Sequence, residues 1–505
     1  MGEARQKKAK LNVTFSVLGQ IVTLICGIIV PRLLIDAYGS EAYGATASIT
    51  QFLAYITLLE GGIGGVARAA LYKPLADNND KEISSVIIEI KRFFRIIGII
   101  FVIYVIVLAC SFKTIAHVQC FNWMSSFFLV IVISIATIAQ YFIGISYVVL
   151  LQAAQKLYIT QVVSSIATIL NTILVIVFLQ LGSSLIVVKL VSSIVFAIKP
   201  IVLWLYVKRY FNIEKASEKS NALEQKWTGL GQHIAFFLHS NTDIVILTIF
   251  SNLSYVAVYS VYNMIVSQIQ NFTASFSAGM ESVFGDMLAK NEIQSLNNTF
   301  DIYESIISII AGVLFSVTAV MIVPFIKIYT FNVEDINYIY PTFALLLCLA
   351  SFLYCLRMPY HSLIIAAGHF RQTKFAAYGE AILNLITSIF LVIKFNLVGV
   401  AVGTVVAVSF RFLFYAYYLS KEICCRSMSL FLKRCACNAF PFLIILFVGS
   451  YAVRCFDLHN YYHWIMCSFG VFLFAVLVEV VSFMAFYKST YLIVFKSIIG
   501  KRKSI

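Results

Sequence analysis

Apolar runs of about twenty residues, broken by short polar stretches, recur along almost the whole chain. That is the length at which a helix crosses hydrocarbon, whereas barrel strands would be about half as long and alternate in polarity. Cut at charge clusters and turn residues, the runs predict helices at 11–31, 44–72, 93–111, 123–148, 158–179 and 184–207. Six more follow at 232–250, 254–282, 300–325, 339–365, 374–394 and 397–419, and a last pair at 435–455 and 463–486. The pattern predicts an all-α polytopic membrane protein with about fourteen transmembrane helices. The seventh run, which holds His233, His239 and Asp243, and the eighth, rich in Ser, Asn and Gln, are the least apolar.

Composition and charge orient these helices. Charged residues make up 12% of the 505 residues, about half the share usual in soluble domains, which leaves little room for a separate soluble domain. The net charge of +14 does not point to nucleic acid, because the basic residues sit in the short polar breaks. With the N-terminus inside, 27 of the 37 Lys and Arg fall in inner segments. Arg32, Lys113, Lys327, Lys394 and Arg454 alone fall outside, so both termini are expected in the cytoplasm. The basic start, MGEARQKKAK, precedes a run long enough to span and lacking a small-x-small cleavage site, so it reads as a retained first helix. The eleven cysteines are scattered, mostly in apolar runs, and form no pair of CxxC motifs. No Walker A, HExxH or GxSxG sequence is present, which argues against an enzyme and against transport powered by this chain's own ATP hydrolysis.

The polar segment at 211–231 divides the pattern into residues 1–210 (helices one to six) and 232–420 (helices seven to twelve). Residues 421–505 then carry two extra helices and a basic tail. A shift of 213 positions aligns 144–173 with 357–386 and matches Tyr147 to Tyr360 and Asn171 to Asn384. This predicts two pseudo-symmetric six-helix lobes. Each holds an even number of helices, so they would be related by an axis along the membrane normal.

The stretch PRLLIDAYGSEAYGATASITQFLAYITLLEGGIGGVARAALYKPLA, then NTDIVILTIF and SYVAVYSVYNMI, on a six-plus-six-plus-two layout, resembles a known family. It is that of the bacterial polysaccharide-biosynthesis transporters, the O-antigen-type flippases of lipid-linked oligosaccharides. They belong to the multidrug/oligosaccharidyl-lipid/polysaccharide exporter superfamily. The resemblance implies a bacterial cytoplasmic membrane protein with a cavity between two lobes. It would move a polyprenyl-diphosphate-linked glycan from the inner to the outer leaflet by alternating access, without a cofactor, alongside other polysaccharide-assembly membrane proteins.

Charges within the apolar runs nominate the site. Lys199, Arg357 and Arg411 lie deep in helices six, ten and twelve, and the 213-residue shift carries Lys199 to within one position of Arg411. A cation at mid-membrane costs about 2.5–3.5 kcal/mol even on the lenient insertion scale. Arg grips phosphate oxygens in bidentate fashion and Lys offers a point charge, so these three suit a diphosphate. Pairing with buried carboxylates or reaching to the headgroups is the plainer alternative. Arg68, near the inner end of helix two, belongs more readily to that alternative. Arg32 either lines the outer exit or caps helix one. Asp243, with His239 one turn before it, and Glu60 are candidates for coupling to a proton or Na⁺, or else for interhelical ion pairs. Glu281 and Glu380 read as acids near the inner face, open to solvent. Gly61 to Gly65 mark a bend or a close helix contact. An ion-coupled exporter of organic cations is the competing function, but it calls for an acid-dominated cavity. A membrane glycosyltransferase or polymerase would need larger loops.

Overall fold

The polar breaks end helices for local reasons. Asn79, Asn122, Asn252 and Asn460 each stand just before a helix, and each side chain accepts a hydrogen bond from the backbone N–H three residues on, at 2.8–3.2 Å. These contacts satisfy donors that the first turn of a helix leaves open. The structure is a computed structural model and describes residues 2–60, 63–213, 230–277, 279–424, 427–456 and 458–486. Most of the predicted linker 211–231, the basic tail, Gly61 and Gly62 lie outside these.

Among the described residues, fourteen helices follow in order. The first six are α1 (Gly2–Tyr38), α2 (Ser40–Ala54, with 3₁₀ turns Tyr55–Glu60, resuming as Ile63–Ala76), α3 (Asp80–Ile115), α4 (Trp123–Ala139, a π turn Gln140–Gly144, then Ile145–Ala153), α5 (Leu157–Gln180) and α6 (Leu185–Tyr210). Next come α7 (Leu230–Phe250), α8 (Leu253–Ser275, then Met280–Ala289), α9 (Ile293–Tyr329) and α10 (Pro341–Ala366). The run Phe370–Glu422 is two helices, α11 and α12, broken at Asn396, whose φ of 45° and ψ of −121° no helix can hold. The last pair is α13 (Met428–Cys455) and α14 (Tyr461–Phe486). The described residues thus reproduce the predicted order, including the break near residue 396 and a bend of 50° in α2. Phe390, Ile393, Phe447 and Leu477 lie 62–80% exposed on helix surfaces. Such faces suit hydrocarbon, and the chain is a multi-pass membrane protein.

Two compact units result, Met1–Ser260 and Val261–Ile505. The division falls inside α8, later than the polar segment 211–231 at which charge divides the chain. The reason is local: α7 packs with α2 in the first unit. The contact is polar, with Gln51 Nε2 donating to Asn241 Oδ1 at 2.5 Å and the Ser48 and Thr248 hydroxyls 2.6 Å apart. These partners account for the low apolarity of the seventh run. Close approach at the start of α8 depends on Gly44, where a Cβ would run into the Leu253 carbonyl. Gly44→Val is therefore expected to destabilise the protein by roughly 1–3 kcal/mol through overpacking. Gly27→Val, at a position facing nothing within 4 Å, is expected to be silent. Melting of the two purified variants checks the contrast.

In the second unit, α9 is the central post, packed against α10, α13 and α14, while α10 packs on the α11–α12 pair. Partners around α9 explain why Ile307, Ala311, Phe315 and Ile326 are completely buried.

Candidate functional site

Arg357, Glu380 and Arg411 stand at one level of α10, α11 and α12. They lie nine residues before Ala366, ten after Phe370 and eleven before Glu422, roughly 15 Å from the helix ends at 1.5 Å per residue. Those ends also carry Arg371, Lys374 and Lys421. Glu380 bridges the two arginines: Arg357 Nη1 donates to Oε1 at 2.7 Å and Arg411 Nη1 to Oε2 at 2.5 Å. The carboxylate is fully buried, and the arginines are 5% and 6% exposed. The Tyr415 hydroxyl accepts from Arg411 Nε at 2.9 Å and from Nη2 at 2.7 Å. Arg357 lies over the Tyr354 ring at 4.7 Å, and the His361 ring stacks parallel to Tyr415 at 5.8 Å. Two guanidiniums on one carboxylate leave one positive charge in excess.

This arrangement corrects one expectation and qualifies another. Glu380 is not a solvated acid near the inner face; it is the buried centre of the cluster. Arg357 and Arg411 are not bare cations, because each shares that carboxylate. Glu380 follows Arg357 by 23 residues and precedes Arg411 by 31, and nothing in residue spacing announces their convergence.

A second cluster escapes the sequence reading altogether. Arg434 counts there as an inner-loop cation, yet α13 begins at Met428 and buries it to 8% exposure. Its Nη2 donates to Asp301 Oδ1 at 2.5 Å and its Nη1 to Glu304 Oε2, both acids on α9. Tyr360 on α10 donates to Glu304 Oε1 at 2.5 Å. Here one cation serves two acids, the reverse of the triad. Asp301 and Glu304, one turn apart at the start of the ninth apolar run, are the signal that suggests a buried partner.

The other nominated residues stand apart from the triad in partner and role. Arg68 Nη1 donates to Gln152 Oε1 at 3.0 Å. Lys199 is half-buried, 5.6 Å from the centre of the Phe196 ring. Arg32 lies inside α1, which continues to Tyr38, and its Nε pairs with Asp36 at 3.0 Å; it does not cap the helix end. Glu60 accepts from the Tyr141 hydroxyl, which the π turn of α4 presents to it. Asp243 is 6% exposed and accepts from Tyr259 at 2.9 Å, and the His239 side chain lies outside the described residues. No group of metal-ligating side chains occurs among the described residues.

No protein-family model and no curated protein matches the chain. Solved structures do. A lipid II flippase MurJ in an inward closed conformation superposes with a TM-score of 0.70 at 16% identity, over 94% of this chain and 99% of that one. An inward-facing multidrug resistance MATE family transporter of the MOP superfamily gives 0.59 at 15% identity, over 79% and 95%. A MOP superfamily transporter from Pyrococcus furiosus, described as having a binding pocket of reverse polarity, gives 0.53 at 15% identity, over 82% and 95%. The chain has the fold of these transporters.

Proposed function

We propose that this protein carries a polyprenyl-diphosphate-linked glycan from the cytoplasmic to the outer leaflet of a bacterial cytoplasmic membrane, for cell-surface polysaccharide assembly. The observation that carries this reading is the Arg357–Glu380–Arg411 triad, a buried cluster with one positive charge in excess. A diphosphate supplies the missing negative charge, and guanidiniums fit phosphate oxygens in pairs. Glu380 then acts as a resident anion that holds both arginines in place until the substrate competes for them. The triad is closed to solvent in this conformation, so the substrate reaches it in another state of an alternating-access cycle. In the first unit, Lys199 and Arg68 have no carboxylate partner among the described residues and remain candidates for binding an anion. Asp243 and Glu60, each held by a tyrosine hydroxyl, remain candidates for coupling to a proton or Na⁺.

The alternative is an ion-coupled exporter of organic cations, which the MATE likeness favours. The flippase superposition takes in 94% of the chain against 79% for that transporter, a difference long enough to hold α13 and α14. The acid-rich cluster of Asp301 and Glu304 is already occupied by Arg434, which leaves a cationic substrate little to bind there.

Arg357→Ala or Arg411→Ala is expected to abolish surface glycan in producing cells while the protein accumulates at its normal level. Either change leaves Glu380 with one arginine, a neutral pair. Normal surface glycan at wild-type protein level would remove these residues from the site.

A further inference from the structure

In the first unit a cavity of about 450 Å³ opens between α3, α4 and the end of α6. It is lined by Lys91, Tyr147, Trp204, Lys208 and the three residues that follow α6, Phe211 to Ile213. Lys91 reaches it from α3 and Lys208 from α6, and neither pairs with a carboxylate among the described residues. Each ammonium instead lies over a ring, Lys91 at 4.6 Å from the centre of Tyr147 and Lys208 at 5.5 Å from that of Trp204. A ring steadies a cation through its π face but accepts little from its N–H groups, which stay available to an anion.

A second cavity, of about 770 Å³, shares Phe211 with the first and is lined by Lys8 and Lys156. Lys156 lies 4.8 Å from the Phe211 ring. Burial, and then the neighbouring Lys8 charge, push the Lys156 ammonium below its usual value. An anion placed between these lysines relieves that crowding. Both cavities open at the side on which Lys and Arg concentrate, where charge expects the inner headgroups. Trp204, Tyr206 and Tyr210 lie at the same end of α6, as aromatic residues do at a membrane interface.

We infer that Lys91 and Lys208 hold the phosphate of an anionic lipid headgroup from the inner leaflet, with Lys8 and Lys156 beside it across Phe211. This is a site for a resident lipid, separate from the transported substrate and independent of its identity. Basic pockets between helices at this level are suited to such headgroups.

The test uses the purified full-length protein in detergent, melted by tryptophan fluorescence while phosphatidylglycerol, phosphatidylcholine or inorganic phosphate is titrated in. Phosphatidylglycerol is expected to raise the melting temperature saturably, and the other two to leave it unchanged. Each lysine near an anionic headgroup is worth roughly fivefold in affinity, so Lys91→Gln with Lys208→Gln shifts the half-saturating concentration about thirtyfold upward. Lys208→Gln alone, at an exposed position, shifts it about fivefold and serves if the double variant fails to fold. Lys374→Gln with Lys421→Gln, in the second unit, is expected to match wild type. Equal weakening by both double variants, or none by Lys91→Gln with Lys208→Gln, would overturn the site. Protection by inorganic phosphate equal to that by phosphatidylglycerol would overturn the lipid as its ligand.

Discussion

Glu380→Ala is expected to cost the protein roughly 3–5 kcal/mol, a large part of the about 5–15 kcal/mol that stabilises a folded domain. The variant leaves the guanidiniums of Arg357 and Arg411 buried, at 5% and 6% exposure, without their shared counter-charge. Tyr415 can still accept from Arg411, but a neutral hydroxyl does not replace a carboxylate. Glu380→Gln keeps the shape and one acceptor and is expected to fall between wild type and Glu380→Ala. Arg411→Ala is expected to be milder than either, since the Arg357–Glu380 pair survives. The order of melting temperatures after extraction, wild type above Arg411→Ala, then Glu380→Gln, then Glu380→Ala, checks this. Replacing all three residues with Met restores stability above that of Glu380→Ala if the uncompensated charges are the cause. Glu380→Ala melting with wild type would mean that the bridge has no energetic role.

Arg434→Ala is the second large effect, of similar size and opposite sign of charge. It takes the guanidinium away from Glu304, 6% exposed, to which Tyr360 still donates, and from Asp301. The same face of α13 carries Asn438, whose Nδ2 lies 3.3 Å from Ser308 Oγ, one turn further along α9. Arg434 therefore fastens α13 to the central post at one end, and its loss is expected to loosen α13 and α14 before the rest of the second unit. Limited proteolysis is expected to cut the region of residues 421–427 first in the variant. Adding Asp301→Asn and Glu304→Gln to Arg434→Ala is expected to recover part of the lost stability, because neutral amides tolerate burial better than unpaired carboxylates. No recovery would show that Arg434 acts through packing of its stem rather than through its charge.

The order of helices was legible in the sequence because hydrocarbon imposes a length and a polarity on every span. The break at Asn396 and the bend in α2 were legible for the same reason, since polar or small residues interrupt otherwise continuous runs. The ion pairs were not. Arg411 and Glu380 are 31 residues apart and Arg434 and Glu304 are 130 apart, and which face of each helix meets its neighbour is decided by packing across the whole unit. Depth, counted in residues to the helix end, singled out Lys199, Arg357 and Arg411 together, yet Lys199 is half-buried and only the two arginines are buried. Their partner was missed because Glu380 stands ten residues into α11, where a carboxylate can equally well be solvated. Arg434 was misplaced because a charge at the head of an apolar run reads as loop, and only its acidic partners on α9 make a helical position tolerable. The polar seventh run looked weak as a span for a related reason, as its Asn241, Asp243 and Thr248 had partners on α2 and α8 that spacing does not reveal.

The excess positive charge of the two arginines around Glu380 is proposed to serve a diphosphate. Proteoliposomes carrying the purified protein and a fluorescent polyprenyl-diphosphate-linked glycan, quenched from outside, measure it directly. Wild type is expected to expose the glycan to the quencher, and Arg411→Ala, reconstituted at equal amount and melting near wild type, to lose at least tenfold in initial rate. An organic cation is expected to show no net transport by either. Equal glycan rates for wild type and a folded Arg411→Ala, or wild-type transport of the cation alone, would contradict the account.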